Sequence, residues 1–422
     1  MRKTPKSLRL QLGLFGRTNI GKSSFLNIVA GQDVAITSRV PGTTTDVVEK
    51  SMELLPIGPV VFLDTAGVDD ISELSRLRIK KSRKILDRAD IILLLAEPNK
   101  WSQYEDTIVQ EAKQRNTPLI IIINKIDQAP PEDKYIRRIE TITNKFLLCC
   151  SIDIDNRDHY VNALKKHIIE CCPGDFLNPP PLIGDLVPKS GLAVLIVPID
   201  LEAPKGRIIL PQVQTIRDAL DNNQAALIVK ETEYKAVLKK LSVPPDIVVC
   251  DSQVVSQMVN DTPDFIPCTT FSILFSRYKG DLIEEIKAAA IIDTLQPQDK
   301  ILIAEACSHH PIEDDIGRVK IPRWLKEHVG GEVRIDTCAG RDYPEDLEDY
   351  KLIIHCGGCM ITRREMLFRI QRAKEKGTSL TNYGIAISVL QGVIERVLSP
   401  FPAALDAFRR QSKNYLKMRS EI

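Results

Sequence analysis

The run Gly16-Arg17-Thr18-Asn19-Ile20-Gly21-Lys22-Ser23-Ser24 constrains the fold more than any other segment of the 422-residue chain. It has the form G-x-x-x-x-G-K-S. It lies between an apolar run that reads as a strand, residues 9–14, and a stretch of helical character, residues 22–30. A loop of this kind works only in that setting, because its backbone N–H groups must turn inward around phosphate oxygens at a helix N-terminus. Lys22 adds positive charge at the β- and γ-phosphates, and the Ser23 hydroxyl can hold Mg²⁺. Gly16, Asn19, Gly21, Lys22, Ser23 and Ser24 are the candidate phosphate-binding residues.

Two further motifs follow predicted strands. Asp64-Thr65-Ala66-Gly67 follows residues 60–63; Asp64 can hold Mg²⁺ through water and Gly67 can donate its N–H to a γ-phosphate. Asn124-Lys125-Ile126-Asp127 follows residues 119–123. The Asp127 carboxylate can accept two hydrogen bonds from guanine, from N1–H and the exocyclic amine, whereas adenine offers no such pair. Between them, Pro41-Gly42-Thr43-Thr44-Thr45-Asp46 offers a Thr that could complete the Mg²⁺ shell. Lys22, Thr44, Asp64 and Gly67 are the expected catalytic group, and Asn124, Lys125 and Asp127 the expected base-reading group. The position after Gly67 is Val68, which cannot orient water as the Gln of Ras-type enzymes does, so intrinsic hydrolysis is expected to be slow.

The fold class expected is α/β, in three domains. Residues 1–172 alternate strand-like and amphipathic runs, the rhythm of βαβ units and of a doubly wound, mainly parallel sheet. Cys172-Pro173-Gly174-Asp175 and Asn178-Pro179-Pro180-Pro181 break that rhythm, which places a linker over residues 173–185. Residues 186–268 read as a small α/β block without a catalytic constellation, a spacer or self-association module. Residues 269–422 read as a third α/β unit. Lys and Arg number 57 against 56 Asp and Glu, a balance that argues against coating nucleic acid by bulk charge. No apolar run reaches the roughly 18 residues of a membrane span, and the basic start lacks an apolar signal core, so a cytoplasmic protein is expected.

The ten cysteines of such a chain are expected to be thiols or metal ligands before disulfides. Cys307-Ser308-His309 follows the predicted strand 300–304, and His355-Cys356-Gly357-Gly358-Cys359 follows the predicted strand 351–354. If those strands share a parallel sheet, both groups meet at its carboxyl edge, where open α/β sheets bind ligands. Three Cys and two His suit zinc as Cys₃His, or an iron–sulfur cluster with one iron left to another ligand; spacing does not choose between them. Cys149, Cys150, Cys171, Cys172, Cys250 and Cys268 read as core thiols. Cys338 follows a third predicted strand and is a neighbour of unassigned role.

The N-terminal motifs resemble those of TrmE/Era-type GTPases. Thr44 matches the switch Thr of that class, Ser151 matches its last guanine motif weakly, and Asn19 stands where potassium-activated relatives carry an Asn that helps bind K⁺. The combination with C-x-H…H-C-x-x-C and Leu380-Thr381-Asn382-Tyr383-Gly384 resembles the HydF family of FeFe-hydrogenase maturation GTPases along essentially the whole chain. That resemblance implies a dimerisation domain over 186–268 and a C-terminal domain holding a 4Fe-4S cluster through Cys307, Cys356 and Cys359. His309, His355, Glu305 or water would be the fourth ligand. It implies GTP with Mg²⁺ and K⁺, a transient di-iron precursor, and a homodimer or higher oligomer. Apo FeFe-hydrogenase and radical-SAM maturases would be the partners. The competing expectation is a TrmE/Era-like GTPase acting on RNA or the ribosome, with structural zinc. A third is an assembly protein whose metal site is a sensor.

Overall fold

The computed structural model describes residues 5–31, 48–64, 83–172, 174–177, 180–198, 208–306, 315–340 and 343–420. The expected site residues Thr44, Gly67, Cys307 and His309, and Val68, lie outside them. The chain divides into two compact units, residues 1–179 and 180–422.

The first unit is built on a six-stranded sheet ordered β2-β3-β1-β4-β5-β6. Its strands are β1 (Leu10–Phe15), β2 (Val48–Leu54), β3 (Gly58–Asp64), β4 (Ile91–Ala96), β5 (Leu119–Asn124) and β6 (Phe146–Cys149). All neighbours are parallel except β2, which runs antiparallel to β3. β1 and β4 are buried along their whole length, as strands covered on both faces must be. The alternating Val-Glu-Lys-Ser-Met-Glu-Leu of β2 is the mark of an edge strand with one wet face, and is not among the strands expected from the sequence. The helix Asp133–Ile142 is also additional; Tyr135 and Ile139, four apart, form its buried stripe.

The second unit carries two four-stranded parallel sheets. One, ordered β10-β9-β7-β8, contains β7 (Leu192–Ile196), β8 (Ala225–Val229), β9 (Ile247–Cys250) and β10 (Cys268–Thr270). The other, ordered β12-β11-β13-β14, contains β11 (Lys300–Ala304), β12 (Arg334–Cys338), β13 (Leu352–His355) and β14 (Ser379–Asn382). Alternate residues of β11 and β13 serve two cores: Leu302 and Ile353 face one with Ala373 and Leu380. Ile301, Ile303, Leu352 and Ile354 join the apolar core of the other sheet.

A buried carboxyl sits where the helices Phe271–Lys279 and Leu282–Ala289 meet β14. Glu285 Oε2 accepts from Ser276 Oγ at 2.7 Å and from Asn382 Nδ2 at 2.9 Å. Gly280 leaves the space this requires: a Cβ there would stand 2.1 Å from Glu285 Oε1. Burial pushes the Glu285 carboxyl up to about 7. The folded state thus prefers it protonated, a stabilisation complete below the ordinary carboxyl value and lost as pH rises through about 7. We expect the melting temperature to fall between about pH 5 and about pH 8, with roughly 3 kcal/mol at stake. Glu285→Gln should remove that component, as melting curves of the two proteins across this range would show.

Candidate functional site

Two groups of side chains gather at carboxyl ends of parallel strands, one in each unit. In the first unit the glycine-rich loop leaves β1, and Gly21 caps the helix Lys22–Ala30 with a φ of 97°. A Cβ at Gly21 would stand 2.4 Å from Asn124 Nδ2, so only glycine fits there. Asn124 is buried at the end of β5 and ties three segments together. Its Nδ2 donates to Ile20 O at 2.8 Å, and its Oδ1 accepts from Ser151 N at 3.1 Å and Ser151 Oγ at 2.7 Å. Ser151, a weak match in sequence, is thereby joined to the phosphate loop through one amide.

Lys125 Nζ donates to Asn19 O and to Glu97 Oε1, both at 2.6 Å. Lys100 and Lys125 hold the Glu97 carboxyl down to about 2. Asp127 Oδ1 accepts from the Cys150 thiol at 3.2 Å, which places Cys150 beside the expected guanine-reading carboxylate. Lys22 Nζ donates to Gly16 O at 2.8 Å and Arg17 O at 3.0 Å. Asp64 is buried at the end of β3, opposite Leu14 of β1. Ser23 is exposed and Ser24 half-buried in the first helical turn. Sequence reasoning missed Tyr104, whose hydroxyl accepts from Gly16 N at 3.2 Å, and Glu105, which accepts from Arg17 Nε at 2.7 Å. The Ser-x-x-Glu capping box at Ser102 announces the helix that carries them.

In the second unit β11 and β13 are adjacent and parallel, with Ala304 opposite His355. Glu305, just past β11, and Cys356, just past β13, therefore leave the same edge. Cys356 N donates to Ala304 O at 2.8 Å, and Ala306 N donates to Cys356 Sγ at 3.1 Å. Cys338 ends β12 on the other side of β11, opposite Ala304, and its carbonyl accepts from Glu305 N at 2.9 Å. Burial pushes the thiols of Cys356 and Cys338 up to about 11 and that of Cys359 in the same direction. Gly358 sits at a φ of 61°, in the left-handed region, so the turn between the two cysteines favours glycine.

His355 is fully buried. Its Nε2 lies 2.9 Å from Arg369 Nη1 and its Nδ1 lies 2.6 Å from Cys356 O. A guanidinium can only donate, so Nε2 accepts and Nδ1–H donates to the carbonyl. Burial and Arg369 push the imidazole down to about 3, so it is neutral. Both ring nitrogens are committed within the protein, and the sequence expectation of His355 as a metal ligand finds no free nitrogen here. Glu305 is buried, and its Oε2 accepts from Arg318 Nη2 at 3.0 Å. Among the described residues no group of three His, Cys, Asp or Glu side chains is assembled to hold a metal. The paired thiols, the backbone donor to sulfur and the glycine turn fit two ligands of a thiolate-bound centre.

Comparison with known proteins was made on this basis. Residues 182–280 match the family model of the hydrogen maturase F dimerization domain, and residues 283–400 that of the hydrogen maturase F tetramerization domain. Residues 11–125 match the model of the 50S ribosome-binding GTPase. The tRNA modification GTPase MnmE of a Synechococcus species is 40% identical over 125 residues, 29% of this chain and 27% of that protein. GTPase Der of Persephonella marina is 34% identical over 143 residues, 33% of this chain and 32% of that protein. The chain thus spans about a third or less of these curated relatives. A crystal structure of Aquifex aeolicus Era bound to GDP.AlF4- is 27% identical, covering 39% of this chain and 56% of that one, with a TM-score of 0.31.

Asn124→Ala would leave Ile20 O, Ser151 N and Ser151 Oγ without their partner. At about 1–3 kcal/mol for buried polar groups so orphaned, GTP affinity should fall at least about tenfold. Calorimetric titration with GTP measures this directly.

Proposed function

The chain belongs to the hydrogen maturase F family, a hydrogenase-maturation GTPase, and from that premise we propose that it is a cluster-bearing scaffold and carrier. The observation that carries the reading is the Cys356-Gly357-Gly358-Cys359 turn at the edge shared by β11 and β13. Cys307, Cys356 and Cys359 would hold a 4Fe-4S cluster, with the fourth iron left to Glu305, His309 or an exchangeable ligand. Such a cluster would supply an open iron site to which an incoming di-iron precursor could bridge. This chain's own groups donate a backbone N–H to the Cys356 sulfur and keep His355 neutral beside Cys356.

GTP with Mg²⁺ would bind through Gly16, Gly21, Lys22, Ser23 and Ser24, with Thr44, Asp64 and Gly67 completing the site and Asp127 reading guanine. Asn19 would support K⁺, which can offset transition-state charge as an arginine finger does. The nucleotide would time the exchange of partners, apo FeFe-hydrogenase and radical-SAM maturases. Residues 1–172, 186–268 and 269–422 would divide these tasks between GTP, self-association and cluster. The likeness to tRNA-modification GTPases stays within the first unit and supports the shared nucleotide chemistry alone.

Self-association is supported by the dimerization and tetramerization models. It fits a surface on which edge strand β8 exposes Ile228 and the helix Leu210–Asp221 exposes Val213 and Leu220, two turns apart on one face. Ile228→Lys with Val213→Glu should shift the mass in light scattering towards the monomer; an unchanged mass would move the interface elsewhere.

Cys307→Ala, Cys356→Ala and Cys359→Ala are each expected to lose iron and hydrogenase activation while binding GTP normally. A variant that keeps its full iron content is not missing a ligand. Lys22→Ala should lose nucleotide binding with iron untouched. GTP hydrolysis should run faster in KCl than in NaCl at equal ionic strength, and equal rates would remove K⁺ from the account.

A further inference from the structure

Lys279 is a buried cation that the activity described so far does not use. It ends the helix Phe271–Lys279 and retains 2% of its exposure. Its ammonium donates to Ile361 O at 3.0 Å, Cys359 O at 3.1 Å and Gly358 O at 3.3 Å. Three N–H groups are thus spent on three carbonyls of the turn that holds the cysteines. The ring of Phe275 lies 5.7 Å from Nζ. The helix C-terminus adds partial negative charge.

These partners are dipoles, and burying a full charge against dipoles alone is costly. The ionisable groups that act on Lys279 are Cys359, Cys356 and, more weakly, Glu365, whose Oε1 already accepts from Arg369 Nη2 at 3.3 Å. The two thiols are neutral when unliganded and anionic when they bind metal. An ammonium behind a pair of thiolates has its full counter-charge only in the loaded protein. An apolar side chain would fill the same space without that dependence.

We propose that Lys279 is a positioning residue for the metal centre: it clamps the Cys356–Cys359 turn through three carbonyls and sets a positive charge behind the thiolates of the loaded site. This rests on the reading that Cys307, Cys356 and Cys359 hold an iron–sulfur cluster. A nearby positive charge stabilises the more negative, reduced state of a cluster, so its removal lowers the reduction potential.

The test uses the full-length protein, reconstituted with iron and sulfide without oxygen. Iron and sulfide content and the potential of an EPR-monitored dithionite titration are measured for wild type, Lys279→Met and Lys279→Arg. Lys279→Met should shift the reduction equilibrium at least about tenfold towards the oxidised form, about 59 mV for one electron. Lys279→Arg, which keeps the charge, should stay near wild type. If Lys279→Met lacks a thermal transition, Lys279→Gln, which keeps a donor without the charge, carries the comparison. Loss of the cluster from the uncharged variants with retention in Lys279→Arg supports the same conclusion through occupancy. A folded, uncharged variant with wild-type iron content and wild-type potential overturns the proposal. Wild-type protein that takes up no iron and sulfide overturns the cluster reading itself.

Discussion

The pairing of β11 with β13 decides where sulfur can stand in this molecule. Parallel strands bring their carboxyl ends to one edge, and the register that sets Ala304 opposite His355 makes Glu305 and Cys356 leave that edge side by side. A one-residue slip would send the side chains of β13 to the opposite faces of the sheet. The alternating cores prevent it, since Ile354 and Ile353 belong to different apolar clusters. The position of the turn at Gly357-Gly358 is therefore a consequence of core packing three and four residues earlier.

Around that edge the second unit buries several charged side chains and resolves each case differently. Arg369 is shared between His355, Gly340 O and Glu365, and it stacks 5.0 Å over the ring of Tyr343. Glu305 has Arg318. Glu285 is met with a raised pKa and two neutral donors. Lys279 alone among these has its hydrogen bonds satisfied by backbone carbonyls, which ties its charge to the turn that bears the cysteines. In the nucleotide unit a neutral amide does the tying: Asn124 joins Ile20 of the loop to Ser151.

Much of this was legible in sequence because local rules and global fold agree. The glycine-rich loop, Asp64 and Asn124-Lys125-Ile126-Asp127 each follow a largely apolar run, and those runs became β1, β3 and β5. Strand β2 escaped because an edge strand with charged alternation lacks that signal. The helix Pro402–Ser420 escaped for a similar reason, its apolar positions being diluted by basic residues. His355 read as a ligand because a histidine beside C-x-x-C has that pattern; its partner Arg369 stands fourteen residues on, one helix away, where no spacing rule reaches. Lys279 carried no signal at all, being a basic residue in a helix's last turn until the fold folds it under the cysteines.

The central claim is that the second unit holds an iron–sulfur centre. The most direct measurement is the metal and sulfide content of the full-length protein purified without oxygen, with its EPR spectrum after reduction. About four irons and four sulfides per chain with a reduced-cluster signal is the expected result. One zinc per chain without sulfide would contradict it and leave the cysteines of this edge as a structural site.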